Sequence, residues 1–481
     1  MNAIVMVLGP VIFSILVYIF GTFRIEGTFR AKFRLPLAQE VKILYFIGIF
    51  LPMLLLPFVQ GGVVGNYPRE LGIEVNLDFI SMTFILAEFI VFGTSSLYLL
   101  PRATNWKELS LLLLMHAGLI GAFISKDYFN FYIFMELSSV SSYALIASKD
   151  KKAAFNYLIL SMTASYIFIL ALGMIYFQTG YLNVELASRV GLRDDTPLRL
   201  AAVALMLKAG IFPLHMWLPD AHSNAKTYVS SILSGIVVKA PIYGLILLSR
   251  LGNFEFLKPF AYLSMIFGVL MAILQFNAKR LLAYHTVSQM GYILLGVSTS
   301  NITGATLYSL AHAIFKSGLF LGVGGIVDTR RRMELNKLGS KNSLLLISIL
   351  MLSLAISGLG VTIGGVGKAQ LVTSKLDKII IYAVSFGTAF SFSKLNYYLW
   401  KGHGNEPSNY SVLPSLISGT LAFILGFMLG GKLSTYDSLI LLAALSFYAV
   451  RNHLVKRDYL IKVNLNESAA LFALILGVVS I

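Results

Sequence analysis

The chain has 481 residues, of which 57% are apolar and only 12% charged, with a mean hydropathy of +0.78. That composition excludes a water-soluble globular protein, and the length accommodates many bilayer-spanning helices of about 20 residues but no sizeable domain outside the membrane. With no Cys the chain holds no disulfide, thiolate-bound zinc or Cys-ligated iron–sulfur cluster, so no cofactor is expected in it and any redox centre belongs to a partner; the net charge of +16 takes its meaning from where it falls.

Sixteen apolar segments follow one another along the chain. Residues 2–20 have no basic n-region and no small-residue cleavage site after them, so they read as a first span rather than a signal peptide. A basic loop with Arg24, Arg30, Lys32, Arg34 and Lys42 leads to the second, 41–59. Segments 77–100 and 108–125 carry Glu88 and His116, 128–147 carries Glu136, and 153–178 is uncharged after its start. Lys208 lies in 199–218 and Lys239 in 227–249; after 256–276 come 281–298 with His285 and 303–327 with His312 and Lys316. Lys368 lies in 342–373 and Lys394 in 379–400, and 412–431 follows. The last two, 436–450 and 468–481, are short for full spans.

Counted in alternation, the loops on one side carry 23 of the 38 Lys and Arg and those on the other 10, while the acids divide evenly. The basic side is predicted to be cytoplasmic, in a multi-pass protein of the cell membrane with both termini outside. Its clusters, including Arg330, Arg331 and Arg332, read as topology determinants that meet anionic lipid, not as a nucleic-acid surface.

The remaining five Lys, together with Glu88 and Glu136, fall inside apolar segments. A charge near the bilayer centre costs at least about 2.5–3.5 kcal/mol, so these groups require a use. Two segments are also broken where a Lys sits. Residues 207–222 read LKAGIFPLHMWLPDAH, and Pro213 removes a helix hydrogen bond while its ring clashes with the preceding turn. Residues 358–370 read GLGVTIGGVGKAQ, with Gly364, Gly365 and Gly367 beside Lys368. Unwound backbone at membrane depth persists only where it is buried in protein or lines a wet cavity. The glycine run is no nucleotide loop, because GxxxxGK[ST] would need Gly in place of Thr362 and a hydroxyl in place of Ala369.

Lys208 and Lys368 are 160 residues apart, and in each case another Lys follows one span later, Lys239 and Lys394. This spacing predicts two units of five spans, the fourth to eighth and the ninth to thirteenth. Tandem repeats with an odd number of spans are inverted relative to one another, as in transporters that work at a repeat interface.

The stretches FMELSSVSSYAL at 134–145, KAGIFPLHMWLPDAHSNA from Lys208, AYHTVSQMGY at 283–292 and HAIFKSGLFLGVGG at 312–325 resemble the antiporter-like subunits. That family comprises ion-translocating subunits of respiratory complex I, the D-type subunit of Mrp sodium/proton antiporters, and counterparts in archaeal membrane-bound hydrogenases and sulfur reductases. The resemblance runs from about residue 77 to 400. It implies that Glu136 pairs with Lys208 on the broken seventh span. It further implies that Lys239, His312 and Lys316 continue a hydrophilic axis to Lys368 on the broken twelfth. The chain departs from the family in lacking the long lateral helix of the largest complex I subunit, and its segments after residue 432 exceed the usual fourteen spans.

The chemistry of the residues agrees with that implication. A Lys beside a carboxylate holds its proton, and burial favours release when the carboxylate moves away. Groups that accept and return protons, bridged by water, conduct where an apolar wall would block. Glu136 and Lys208 would be the switching pair, Lys239 with His312 the relay and Lys368 the terminal acceptor; Lys316 shares a helix face with His312. The duller alternatives are snorkelling or static ion pairs. His285 reads as relay or as polar packing, Lys394 reads as snorkelling, and Glu88 and His116 pair with each other or with a neighbouring subunit. His215 and His222 have only Asp220 nearby as an oxygen ligand, so no metal is expected. Trp217, Pro219 and Asp220 read as a cap on the broken helix, and Ser138, Ser139, Ser141 and Ser142 as small residues for close helix packing.

The expectation is an all-α polytopic membrane protein of about 14–16 transmembrane helices, with two inverted five-helix repeats and broken helices. Its parts are N-terminal helices at 1–106, repeats at 107–250 and 251–400, and C-terminal helices at 401–481. The expected function is that of a proton-translocating subunit, with Na⁺ as the candidate counter-ion, within a membrane-bound respiratory complex whose other membrane and peripheral redox subunits do the redox chemistry. The alternatives are a subunit of a stand-alone Mrp-type Na⁺/H⁺ antiporter and a small-solute secondary transporter.

Overall fold

The computed structural model describes residues 1–25, 37–102, 105–401, 409–434, 436–453, 458 and 465–480; Arg30, Lys32 and Arg34 of the first basic loop lie outside them. The N-terminal helices are α1 (Val5–Ile25), α2 (Leu37–Leu55), α3 (Phe79–Leu99), α4 (Trp106–Ile124), α5 (Tyr128–Ala147) and α6 (Lys151–Thr179). The short α7 (Val184–Val190) precedes α8 (Thr196–Ala209), α9 (Trp217–Asn224), α10 (Thr227–Gly235) and α11 (Ala240–Leu248). Then come α12 (Lys258–Leu274), α13 (Ala278–Ser298), α14 (Ile302–Arg330), α15 (Ser343–Ser357), α16 (Ile363–Gln370) and α17 (Lys375–Lys401). The chain continues with α18 (Asn409–Met428), α19 (Asp437–Val450) and α20 (Leu465–Ser480). A two-residue antiparallel ribbon, β1 (Gly62–Val63) with β2 (Glu74–Val75), is the sheet among the described residues.

The helices start where the sequence supplies a capping oxygen. Asp78, Asn105, Asp127, Asp150, Asn277, Asn301 and Asn342 each accept a backbone N–H from the first turn that follows, which satisfies donors that a membrane interior would leave stranded. Nine stretches of described helix are long and apolar enough to cross a membrane. Helices α5, α13 and α17, of 20, 21 and 27 residues, match them in length but carry the polar side chains discussed below. The fold is all-α and polytopic, as the sequence predicts, and each of the sixteen apolar segments coincides with one helix or one interrupted pair.

Burial runs inside out. Helices α10 and α11 are buried along their whole length and α14 from Tyr308 to Val327, whereas α1, α6 and α19 turn residues such as Ile12, Phe177 and Leu441 outward, as lipid-facing helices do. The most deeply enclosed helices therefore carry the ionisable residues. Lys208, Lys239, Lys316, Lys368, His285 and His312 are all buried in protein.

Loop hydrogen bonds sort the two faces of the bundle. On the basic face, Leu335 N–H donates to Phe276 O and Ala278 N–H to Met333 O, and Lys149 and Lys279 both donate to Ala225 O. On the opposite face Lys126 N–H donates to Glu74 O, Asn301 donates to Gln370 O and Arg199 to Val479 O. At these described positions each loop bonds to a loop counted on the same side.

Candidate functional site

Both predicted helix breaks are present. After α8, Gly210 takes a left-handed conformation (φ +67°) and the chain turns through Pro213 before α9 begins. Trp217 of α9 reaches back and donates from Nε1 to Leu207 O at 2.9 Å, capping a carbonyl that the break leaves free. The second break separates α15 from α16, with Gly358 left-handed (φ +97°). A side chain at Gly364 would meet Ala355 O at 1.9 Å, so only glycine permits that backbone approach.

A third interruption was not foreseen. The eighth span is not one helix: α10 ends at Gly235, a single 3₁₀ turn spans Val237–Lys239, and α11 resumes with Pro241 in its first turn. Lys239 lies at this interruption, and its Nζ donates to Ser234 O at 2.5 Å. Gly235 and Pro241 bracket the break, which is the signal the sequence offered.

The pair expected at the start of the axis is formed. Lys208 Nζ donates to Glu136 Oε1 at 2.7 Å, to Ser161 Oγ at 3.0 Å and to Ser139 Oγ at 3.3 Å, and Ser165 Oγ donates to the same Glu136 oxygen. Reading the α5 serines as packing residues alone is therefore incomplete. Ser138 does pack, against Gly118, but Ser139 is a ligand of the lysine. Beside Lys208 lies a closed cavity of about 10 Å³, lined by Ser138, Ser139, Ser161, Trp217, Val237 and Ala240. That is room for about one water molecule, between Lys208 and the helix that carries Lys239.

From Lys239 a hydroxyl bridge leads onward. Ser234 Oγ and Thr286 Oγ1 are 2.8 Å apart, and Thr286 Oγ1 donates to Leu282 O at 3.2 Å. Lys316 Nζ donates to that same carbonyl and lies 5.3 Å over the Phe320 ring. His312 has no hydrogen-bond partner on either ring nitrogen among the described residues although it is fully buried, and such orphaned groups ordinarily mark ordered water. His222 is also fully buried; its Nδ1 donates to Leu218 O, which leaves Nε2 without a partner. Sequence reasoning weighed His222 only as a metal ligand and so missed it as a companion of His312.

The far end differs from the near one. Lys368 Nζ donates to Ile356 O at 2.8 Å, Ser357 O at 3.1 Å and Ser385 Oγ at 2.9 Å, and lies 4.9 Å over the Tyr292 ring. Tyr292 OH is 3.2 Å from Ser385 Oγ, its ring packs on Tyr308 at 5.4 Å, and Tyr308 OH donates to Gln289. His285 sits between, with Nε2 3.0 Å from Ser391 Oγ and Nδ1 without a partner.

Other residues fall elsewhere. Lys394 does not snorkel: it is buried and donates to Ile273 O and Gln275 O at 2.5 and 2.6 Å, capping the end of α12. Glu88 and His116 choose each other, at 2.5 Å and without exposure. His215 is stacked against Phe212 and Phe267, Asp220 is paired with Arg280, and no three potential metal ligands converge among the described residues.

This geometry can be set beside known proteins. Residues 125–393 match the family model described as NADH:quinone oxidoreductase/Mrp antiporter, TM. The NADH-quinone oxidoreductase subunit N of Desulforudis audaxviator is 32% identical over 345 residues, 65% of this chain and 69% of that one. The D subunit of the Na(+)/H(+) antiporter of Alkalihalophilus pseudofirmus is 30% identical over 408 residues, 76% and 82%. The fold is shared with a chain of the Mrp complex from Dietzia sp. DQ12-45-1b (TM-score 0.77, 21% identity, 97% and 98% of the two chains). It is shared as well with a chain of the membrane-bound sulfane sulfur reductase, an archaeal respiratory membrane complex (TM-score 0.76, 22% identity, 94% and 99%). The matched segment opens just before α5 and closes in α17, so it contains all three helix interruptions and every residue of the lysine series. The chain belongs to the family of antiporter-like membrane subunits shared by NADH:quinone oxidoreductases and Mrp antiporters.

Proposed function

We propose that this subunit translocates protons along Glu136, Lys208, Lys239, Lys316 with His312, His285 and Lys368, within a larger membrane complex whose other subunits carry out redox chemistry. The observation that carries the reading is the Lys208–Glu136 pair at 2.7 Å, followed by a one-water cavity and a Ser234–Thr286 hydroxyl pair lying between the carbonyls that hold the next two lysines. The interruptions beside Lys239 and Lys368 free carbonyls that hold those lysines inside the bundle, whereas Lys208 at the first break is held by Glu136 and two serines. When Glu136 withdraws, burial drives the Lys208 proton onward; when the carboxylate returns, it draws the next proton in. In this reading the basic loops are cytoplasmic and the membrane is the cell membrane. Residues 107–250 and 251–400 act as the two half-sites.

Glu136→Gln and Lys208→Ala are expected to abolish proton pumping by the reconstituted complex while leaving its assembly intact, measured as acidification of proteoliposomes beside subunit composition. Pumping at the native rate in both variants would refute the switching pair. A stand-alone Mrp-type cation/proton antiporter is the second reading, favoured by the match over 82% of the antiporter's D subunit. Native purification separates the two, since only the first predicts iron–sulfur or hydrogenase-type subunits in the complex. A solute transporter is disfavoured, because the cavity at the first break, at about 10 Å³, holds a water and no solute.

A further inference from the structure

We propose that Asp437, acting with Tyr436, is the outlet of the second broken helix, accepting the proton that Lys368 releases and delivering it to the face opposite the basic loops. This rests on the transport reading above and adds to it residues from a part of the chain beyond the family match at 125–393.

The starting point is what Lys368 lacks. Lys208 has a carboxylate within hydrogen-bond reach, whereas Lys368 is held by two carbonyls, a serine hydroxyl and an aromatic face. Carbonyls stabilise an ammonium but take no proton from it, so a terminal lysine so placed needs an acceptor nearby. The start of α19 supplies one. Tyr436 OH donates to Ser357 O at 3.3 Å, the same carbonyl that Lys368 Nζ reaches. Tyr436 Oη and Lys368 Nζ each lie 3.3 Å from the point that a side chain on Gly358 would occupy, so the two face one another across a glycine that keeps the space open. Asp437 follows directly. Its Oδ1 accepts from Gly360 N–H at 2.8 Å, inside the break, and its Oδ2 from Ser434 N–H at 2.6 Å, in the turn between α18 and α19. That turn belongs to the face opposite the basic loops and is exposed at Leu433. The carboxylate therefore bridges the unwound backbone beside Lys368 and the surface of the bundle. Tyr382, whose ring packs on Tyr436 at 4.5 Å, Tyr292, and Tyr308, which packs on Tyr292 and beside Gly367, are further titratable side chains at the break among the described residues.

The proton balance is simple. The Lys368 ammonium gives one proton, by way of the Tyr436 hydroxyl and water between it and the start of α19, to the Asp437 carboxylate, leaving a neutral amine, an unchanged phenol and a carboxylic acid. The acid then releases its proton to water on the outer side, and the amine is ready for the next proton from the axis.

The test uses proteoliposomes holding the complete complex. Asp437→Asn keeps the oxygen that accepts from Gly360 but gives up both the proton acceptor and the bond from Ser434 N–H, so it is expected to slow pumping by at least about tenfold, with Asp437→Glu, which keeps the carboxylate, restoring most of the rate. Tyr436→Phe keeps the packing on Tyr382 and is expected to slow pumping severalfold with an enlarged solvent deuterium isotope effect, which a purely structural role would not change. Pumping within twofold of native in Asp437→Asn, while Lys368→Ala abolishes it, would overturn the outlet and spare the transport reading. Native rates in Asp437→Asn, Lys368→Ala and Glu136→Gln together would overturn both. Should the Asp437 variants fail to assemble, the absence of native Cys allows Ser434→Cys to be probed alone. An impermeant maleimide should label it from the face opposite the basic loops, and labelling only from the basic face would overturn the outlet.

Discussion

Lys208 and Lys368 stand at equivalent breaks yet have opposite surroundings, one beside a carboxylate and the other among carbonyls and a phenyl face. In the proposed reading that contrast would suit the first to proton capture and the second to release. The five membrane lysines were legible in the sequence because a charge in an apolar run has a large cost that must be offset by use. Ser234 and Thr286 were not legible, since hydroxyls in membrane helices commonly bond their own helix carbonyls and only the fold shows which of them also bridges two helices. Ser234→Ala and Thr286→Val are each expected to slow pumping severalfold. The double variant should be no slower than the worse single one, because both remove the same bridge; initial rates in the same proteoliposomes check this. Lys394 illustrates the opposite error. A lysine near a span end looks like a snorkelling residue, but α12 terminates beside it and offers carbonyls.

Among the elements, the first break was readable because Pro213 makes a continuous helix costly; the Gly364–Gly365–Gly367 run pointed to the second, but those glycines lie inside α16 and the chain breaks just before them, after Gly358. The interruption before Lys239 escaped notice because its markers, Gly235 and Pro241, are single and lie at its edges. Gly364→Ala forces a methyl group onto Ala355 O and is expected to destabilise the protein by about 1–3 kcal/mol, visible as a lowered Tm in detergent. The ribbon on the face opposite the basic loops has its own pH limit. Burial pushes the Glu74 carboxyl up, but hydrogen bonds from Arg69 and Asn183 hold it below its ordinary value. A lowered carboxyl contributes stability above its unfolded pKa of about 4.3, and the contribution is lost as pH falls through the folded value. Glu74→Gln should therefore lower Tm at neutral pH and leave little difference from the native chain in acid, as a series of thermal melts against pH would show.

For the molecule as a whole, hydropathy sufficed to find the apolar segments that the described helices occupy, because it follows from the cost of placing polar groups in lipid. How α19 and α20 pack was beyond that reasoning. Both helices are short, and nothing local to them says that α19 meets the second break while α20 contacts Arg199 before α8 has completed its first turn. The gap beside Lys208 has a consequence for the whole assembly. At about 10 Å³ it has room for about one water molecule, so in the proposed reading the proton handed from Lys208 toward Lys239 would cross a single-file gap, and the rate of the whole assembly would hang on that one narrow step.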